Sequence, residues 1–527
     1  MSEPFGHERR QLLRLAAAMA AGSWLPRGAH ASPGWGFDPF GIGVASGAPR
    51  PDSVVLWTRL LAPGWFDSIG EDPVPVRWEV AHDEAFSRVA RRGSTLAMPA
   101  LAHSVHAEVA GLEPDRWYFY RFIAGGQVST VGRTRTLPAP GAPVNRLRLA
   151  YASCQRWDHG YYGAYRHMRE EQPDLVLFLG DYIYEYPTAF GAVRSHPSVT
   201  VVRTLAEYRE RHALHRSDAA LQAMHASCPW LLTWDDHEVQ NDYAGLIPGD
   251  SRPLGFNQVQ EFMVRRNAAY QAWYEHMPVR VSTLSRASSG ALEVQVHGRW
   301  RFGALADLVL LDGRQWRDVQ ACRSSHGAGS LIDPGSCAAL HDPSRTLLGA
   351  AQEQWVDATL ADAKGLWTVV GQQGLFGKRD NLPGPGERLY NDGWDGYPAA
   401  RGRMLDGLRR HAVSNPVFLG GDVHENWVGH IKADYERPDS ANVGVEFCGT
   451  SITSRARGAD RVAQRLAENP HFVFADGYRR GYGVCDFTPG GLTTRLRVVS
   501  DVTRPDTGIE TLAAFGVRPG EPRIERL

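Results

Sequence analysis

Four short polar clusters hold most of the residues in this chain whose types and spacing could do chemistry together. They are Ser153-Cys154-Gln155, Gly180-Asp181-Tyr182-Ile183-Tyr184-Glu185, Asp235-Asp236-His237-Glu238-Val239-Gln240-Asn241 and Gly420-Gly421-Asp422-Val423-His424-Glu425-Asn426. Thiol, phenol, imidazole, carboxylate and amide groups recur in them. These are the donors of cation sites. Each residue alone has a plainer role. A cysteine after a strand is commonly a small buried hydrophobe, Asp181 could cap a helix, Tyr184 could be core, and Asn241 could make a turn. Gly180-Asp181 and Asp422-Val423-His424 stand out even singly. Four such clusters at four strand ends need one cause, and a shared cation site supplies it.

Each cluster follows a short apolar run. Residues 147–152 precede the first, 174–179 the second, 230–234 the third and 416–419 the fourth, and 308–311 and 367–370 are of the same kind. Near-continuous apolar strands alternating with helical stretches such as 164–171 predict an α/β domain whose sheet is covered on both faces. In such sheets functional groups gather beyond the strand ends. Residues 37–137 read differently. Ser53-Val54-Val55-Leu56-Trp57-Thr58, the alternating Val76-Arg77-Trp78-Glu79-Val80 and the aromatic Trp117-Tyr118-Phe119-Tyr120-Arg121-Phe122 are short strands between turns. They predict a β-sandwich of about a hundred residues. Pro138-Ala139-Pro140-Gly141-Ala142-Pro143 reads as the linker. The expected organisation is a leader at 1–31, a β-sandwich at 35–142, a catalytic α/β domain at 143–500 and a turn-rich tail at 501–527. After Tyr482 the sequence is strand-like, as at 493–499, with no helix to cover the mouth of a site.

Composition agrees with a folded, multi-layered protein. A length of 527 residues exceeds one ordinary core, and 43% hydrophobic with 22% charged residues is globular usage. With Lys+Arg 57 and Asp+Glu 58, the net charge of −1 argues against a general nucleic-acid binder, so no stable nucleic-acid partner is expected. The 55 Gly and 33 Pro point to strands and loops rather than a helical bundle. At the N-terminus, Arg9-Arg10 precede an apolar segment at 15–25 and then Ala29-His30-Ala31. This layout resembles a twin-arginine signal handled by the twin-arginine export machinery, with an ordinary secretory signal as the alternative. The segment is shorter than a bilayer span and no later run is long enough. The mature chain is therefore expected to be periplasmic or extracellular, with no membrane span. Among six cysteines, Cys322 and Cys337 flank a Ser/Gly-rich stretch and are expected to pair; the partners of Cys228, Cys448 and Cys485 stay open.

The clusters also carry a family resemblance. Gly180-Asp181-x-x-Tyr184 is similar to the signature by which calcineurin-like metallophosphoesterases of the purple acid phosphatase kind hold a bridging Asp and an iron-bound Tyr. The usual Asp-x-His of that superfamily is replaced by Ser153-Cys154-Gln155. Together with Trp234-Asp235-Asp236-His237-Glu238-x-x-Asn241 and Gly421-Asp422-Val423-His424, this resembles the PhoD-type alkaline phosphatases. Gly43-Val44-Ala45-Ser46-Gly47, Leu56-Trp57-Thr58-Arg59, Leu311-Asp312-Gly313-Arg314-Gln315 and Trp394-Asp395-Gly396-Tyr397-Pro398 extend the likeness over most of the mature chain.

The resemblance implies an α/β/β/α metallophosphatase sandwich preceded by an immunoglobulin-like β-sandwich. It further implies a centre of ferric iron and calcium, with Cys154 and Tyr184 on iron and Asp181 bridging. Asn241, Asp422 and His424 would complete the shell on either ion. Asp236 and His237 are the next candidates, one supporting the ligands and one a general acid, and Arg314 either faces the phosphate or is structural. Gly313 departs from the family's Thr. The implied activity is hydrolysis of phosphate monoesters and diesters, of small molecules or polymers, by direct attack of a metal-activated water with no phosphoenzyme. A phosphodiesterase for nucleic acid, lipid headgroup or cell-wall polymer is the second reading, and a non-enzymatic surface binding protein the third.

Overall fold

The computed structural model describes residues 34–527 apart from 65–67, 250–255, 288, 325–326, 438 and 457; the leader read at 1–31 lies outside the described residues. Seven parallel-running strands carry the site. In the first sheet β1 (Leu147–Ala152), β2 (Leu175–Leu179) and β3 (Trp230–Thr233) pair in parallel, with Val176 opposite both Ala150 and Trp230. In the second, β4 (Ala306–Leu310), β5 (Trp367–Gly371), β6 (Pro416–Gly420) and β7 (Asn442–Cys448) pair in parallel, with Leu308 opposite Val369, Val369 opposite Val417 and Val417 opposite Val445. All but the first two residues of β7 and Arg148 of β1 are buried, which is why these strands read as continuous apolar runs.

Alternation within those runs builds four layers. Leu177 and Leu179 of β2 point inward and meet Leu308, Leu310, Val369 and Leu419 of the facing sheet. Val176 and Phe178 point outward under α1 (Gly163–Glu170), α2 (Leu205–Arg216), α3 (Ala219–His225) and α4 (Phe256–His276), against Tyr165, Met168, Tyr208, Met224 and Trp273. On the far side α5 (Ala350–Ala361) and α6 (Pro398–Arg410) cover Val309, Val370 and Phe418 with Val356, Leu360, Met404 and Leu408. The expected α/β/β/α order is what is found. A capping box at Thr204 and Glu207 starts α2 immediately after the long loop that follows β2.

The N-terminal region is a β-sandwich with one unexpected join. Strands 74–81, 89–97, 117–124, 127–128 and 132–135 form a five-stranded sheet. It faces strands 44–47, 53–59 and 104–110 across a core of Leu56, Val105, Val80, Tyr120 and Phe122. That second layer belongs to the ten-stranded sheet of the α/β region, because Gly47 pairs in parallel with Trp230 of β3. A side chain at Gly47 would lie 2.4 Å from the Pro278 carbonyl oxygen, so only glycine permits the approach. The proline-rich segment therefore links two regions that share a sheet.

The C-terminus corrects one expectation. Residues 501–527 are not a tail: Ile509–Arg518 and Glu521–Arg526 complete an antiparallel ladder that begins with Arg480–Thr488 paired to β1. Phe515 enters the inter-sheet core beside Phe447 and Phe474. The charged and turn residues at 501–508 hid the alternation that follows them. Among the described residues no helix follows Glu468, so none comes after Tyr482. Cys322 and Cys337 do pair, with Cα atoms 6.0 Å apart, while Cys154, Cys228, Cys448 and Cys485 are free and buried. Closing this loop contributes about 3 kcal/mol on the chain-entropy view. No described helix is long and apolar enough to cross a membrane.

Candidate metal centre

The backbone marks the site before the side chains do. Cys154 (φ 59°), Asp181 (57°), Asp242 (56°), Asp422 (61°) and His424 (57°) all take the left-handed conformation, although none is glycine. Each such residue costs about 1–3 kcal/mol and persists only where surrounding structure imposes it. Cys154, Asp181, Asp422 and His424 lie just beyond strand ends, and Asp242 lies farther along the loop after β3. Gly180 (φ 103°) brings the second cluster against the third: a Cβ there would sit 2.5 Å from Cβ of Asp235.

Donor atoms of Cys154, Asp181 and His424 lie within 4.8 Å of one another, as do those of Asp181, Asp236 and His237, of Asp235, Asp236 and Asp422, and of Asp236, Asp242 and Asp392. The Tyr184 hydroxyl donates to Asp181 Oδ2 at 2.8 Å, lies 3.2 Å from His424 Nε2 and accepts from Ser454 Oγ at 2.8 Å. Ser454 Oγ also lies 2.9 Å from the Cys154 carbonyl oxygen, so it ties the thiol and phenol positions together. Asn241 is half-buried, its backbone N–H given to Glu185 Oε1 at 2.9 Å. The structure thus gathers Cys154, Asp181, Tyr184, Asp236, His237, Asp422 and His424 in one place, with Asn241 on the loop beside them.

Burial and charge make the arrangement a candidate cation site. Burial pushes the Asp422 carboxyl well above the usual range, reinforced by Asp235 and Asp236. Burial does the same to Asp181, where Asp236 and Asp235 add to the rise against the opposing pull of His237. The Cys154 thiol and the Tyr184 phenol are pushed up by burial and then by their acidic neighbours. Asp235 and Asp242 are each raised to about 7, chiefly by burial. Asp235 Oδ2 and Asp236 Oδ1 are buried with no hydrogen-bond partner. Buried carboxylates with unassigned lone pairs, beside a thiol and a phenol, fit bound cations that would favour every ionised form.

Asp236 and His237 differ in their surroundings. Although burial opposes its charge, Asp236 is held below the ordinary carboxylate range by Arg314 and His237. His237 lies with Nδ1 2.7 Å from Glu185 Oε2, its ring 4.2 Å from that of Tyr184. Burial works against the imidazolium, but Glu185, Asp236 and Asp181 together hold it well above its usual range. These surroundings favour the imidazolium form of His237 and the carboxylate form of Asp236.

Arg314 does not face outward. It is 3% exposed, with Nε 2.5 Å from Asp235 Oδ1, one terminal nitrogen 2.8 Å from Asp392 Oδ2 and Asp236 Oδ2 3.7 Å away. Its guanidinium is already occupied by carboxylates, which favours the structural of its two readings. Arg314→Met should accordingly lower stability by about 3–5 kcal/mol, because Asp235 and Asp392 lose their counter-charge. Thermal and urea melts measure this; a raised KM at unchanged stability would return Arg314 to the substrate.

Several supporting residues escaped the sequence reading. Buried Glu238 accepts the backbone N–H groups of Tyr182 (2.7 Å), Asp235 (2.9 Å) and Asp181 (3.1 Å), locking the second and third clusters together. Glu185 orients His237 and Asn241. Both sit inside the clusters, yet their type and spacing do not distinguish a brace from a ligand. Asp392 precedes the Trp394 motif by two residues, and Ser454 comes from the loop after β7 with no motif at all.

The chain matches the PhoD-like phosphatase family over residues 149–496 and the N-terminal domain of PhoD-like phosphatases over residues 28–138. It is 46% identical over 497 residues to alkaline phosphatase D of Bacillus subtilis, covering 92% of this chain and 82% of that protein. A solved structure of PhoD superposes with a TM-score of 0.87 at 44% identity, over 94% of this chain and 93% of that one. With its strand-end cluster of thiol, phenol, imidazole and carboxylates, the chain belongs to the PhoD-like phosphatases and is a hydrolase of phosphoric ester bonds of the alkaline phosphatase D type.

Proposed function

We propose that this chain is an exported, metal-dependent phosphatase that hydrolyses phosphate monoesters and diesters at the centre around Asp181. The observation that carries this reading is the convergence of Cys154, Asp181 and His424 donors within 4.8 Å, with the Tyr184 hydroxyl 2.8 Å from Asp181. A thiol and a phenol beside a carboxylate suit ferric iron, and the oxygen-rich side formed by Asp181, Asp422 and Asn241 suits calcium. When bound, such ions neutralise phosphoryl oxygens and lower the pKa of water so that it can attack phosphorus. Asp181 would bridge the two sides. His237, braced by Glu185, would deliver a proton to the departing ester oxygen, and Asp236 would remain a carboxylate that holds the imidazolium in place. Arg314 positions Asp235 and Asp392 behind them. No Ser or Cys nucleophile is required.

The paired arginines at Arg9-Arg10 support export by the twin-arginine route, and hence a periplasmic or extracellular site of action. Elemental analysis of the purified chain, with initial rates on nitrophenyl monoester and diester substrates, tests the whole reading. Iron and calcium should co-purify, the protein should be coloured by phenolate and thiolate charge transfer to iron, and chelation should abolish both rates. An active, colourless, iron-free protein would overturn the metal assignment and leave the fold standing.

A further inference from the structure

Behind the loop that carries Asp181 and Tyr184 lies a second polar cluster that the reaction does not use. Arg216, the last residue of α2, is fully buried, and its Nε, Nη1 and Nη2 all lack a hydrogen-bond partner. Its guanidinium lies 4.1 Å from the ring centre of Trp57, which belongs to the strand Ser53–Arg59 of the N-terminal sandwich. One turn earlier, His212 is also fully buried with both ring nitrogens unbonded, and it stacks on His276 at 4.9 Å. His225, the last residue of α3, gives one nitrogen to the Tyr182 hydroxyl at 2.9 Å and leaves Nδ1 unbonded. The Tyr120 hydroxyl, beside Ser46, also acts on the Arg216 charge.

The cluster has donors in excess: the Tyr182 hydroxyl acts as an acceptor toward Arg216 and the Tyr120 oxygen acts on its charge, which is fewer oxygens than N–H groups. Arg216 alone brings five N–H groups and a permanent charge. No ion pair joins it to a carboxylate among the described residues. The nearby acid Glu275 is bound by Arg209 at 2.5 Å and Gln271 at 2.9 Å, and His276 is satisfied by Ala272 and Arg59. The C-terminal dipole of α2 offers about half a charge but no free acceptor, and its last carbonyl, that of Arg216, already accepts from Gln222 at 2.9 Å. The face of Trp57 attracts the cation without accepting its hydrogen bonds. A buried cation with unmet donors is costly unless a counter-charge enters.

We propose that Arg216, His212 and His225 form a buried site for a small inorganic anion of halide size at the seam between the N-terminal sandwich and the catalytic region. Chloride accepts hydrogen bonds from several directions, matching N–H groups that arrive from the ends of α2 and α3. Through His225 and the Tyr182 hydroxyl the site props the loop holding Asp181 and Tyr184, so the anion strengthens the seam from the side opposite the metal centre.

Crystals of the full chain grown with bromide in place of chloride, measured at the bromine edge, should show an anomalous peak in contact with the Arg216 nitrogens. In solution, at constant ionic strength, Tm should be about 2 °C higher in chloride than in gluconate. Arg216→Met should abolish that difference. His212→Phe, which keeps the stack on His276, should reduce it if the first variant does not fold. Ordinary water density at Arg216 in bromide crystals, or equal Tm in the two salts, would overturn the proposal. Neither result depends on hydrolytic activity.

Discussion

Cys154→Ala is expected to lose bound iron and, with it, at least about a hundredfold in kcat/KM for phosphate esters, because changing even the groups that brace a ligand costs 10–100-fold. The alternative, a cysteine kept for packing, makes a different forecast. Removing one buried sulfur then costs about 1 kcal/mol of stability and leaves metal content unchanged. The structure argues against packing alone. A small hydrophobe has no need of a left-handed backbone, yet Cys154 sits at φ 59° with its N–H given to the Gly180 carbonyl at 3.0 Å. Its sulfur belongs to a three-donor group with Asp181 and His424. Burial and the two aspartates Asp181 and Asp422 oppose its ionisation, so a thiolate exists there only if a cation outweighs them. Iron per chain, the visible spectrum and the initial rate, measured on one preparation, decide the matter. Full iron with full turnover would remove Cys154 from the ligand set.

Much of this was legible because the strands are short, apolar and terminated by residues that no core requires. β2 announces itself as Leu175-Val176-Leu177-Phe178-Leu179, and Gly180 ends it where the left-handed Asp181 must follow. The disulfide was legible too, since a Ser/Gly-rich stretch between two cysteines is a loop in any fold. What stayed hidden depends on distance in sequence. Asp392 meets Arg314 only because the loop after β5 folds back over β4, and Ser454 meets Tyr184 across 270 residues. Arg314 could not be placed from its motif, because an arginine facing phosphate and one neutralising buried aspartates have the same neighbours in sequence. The join of Gly47 to Trp230 was hidden for a related reason: a strand's neighbour across a sheet leaves no local mark on a sequence that is buried either way.

His237→Gln should separate the acid from its supports. Loss of a general acid costs about 10²–10⁴-fold in kcat, and the loss grows as the leaving group becomes more basic. An alkyl phosphate should therefore lose the full amount, whereas a nitrophenyl ester, whose phenolate departs without a proton, should lose far less. KM should move little for either substrate. The prediction rests on the pair at 2.7 Å between His237 Nδ1 and Glu185 Oε2, which commits that nitrogen and leaves Nε2 to carry the proton for transfer. It rests equally on the carboxylates around the ring, since Glu185, Asp236 and Asp181 keep the imidazolium charged against the penalty of burial. Asp236 is a poor substitute, because the Arg314 charge that favours its ionised form remains when His237 is replaced. Glu185→Gln, which keeps a hydrogen bond but removes the charge, should produce a smaller loss with the same dependence on leaving group. Equal losses on alkyl and nitrophenyl esters would assign His237 to metal or phosphate binding instead, and the proton would then have to come from solvent.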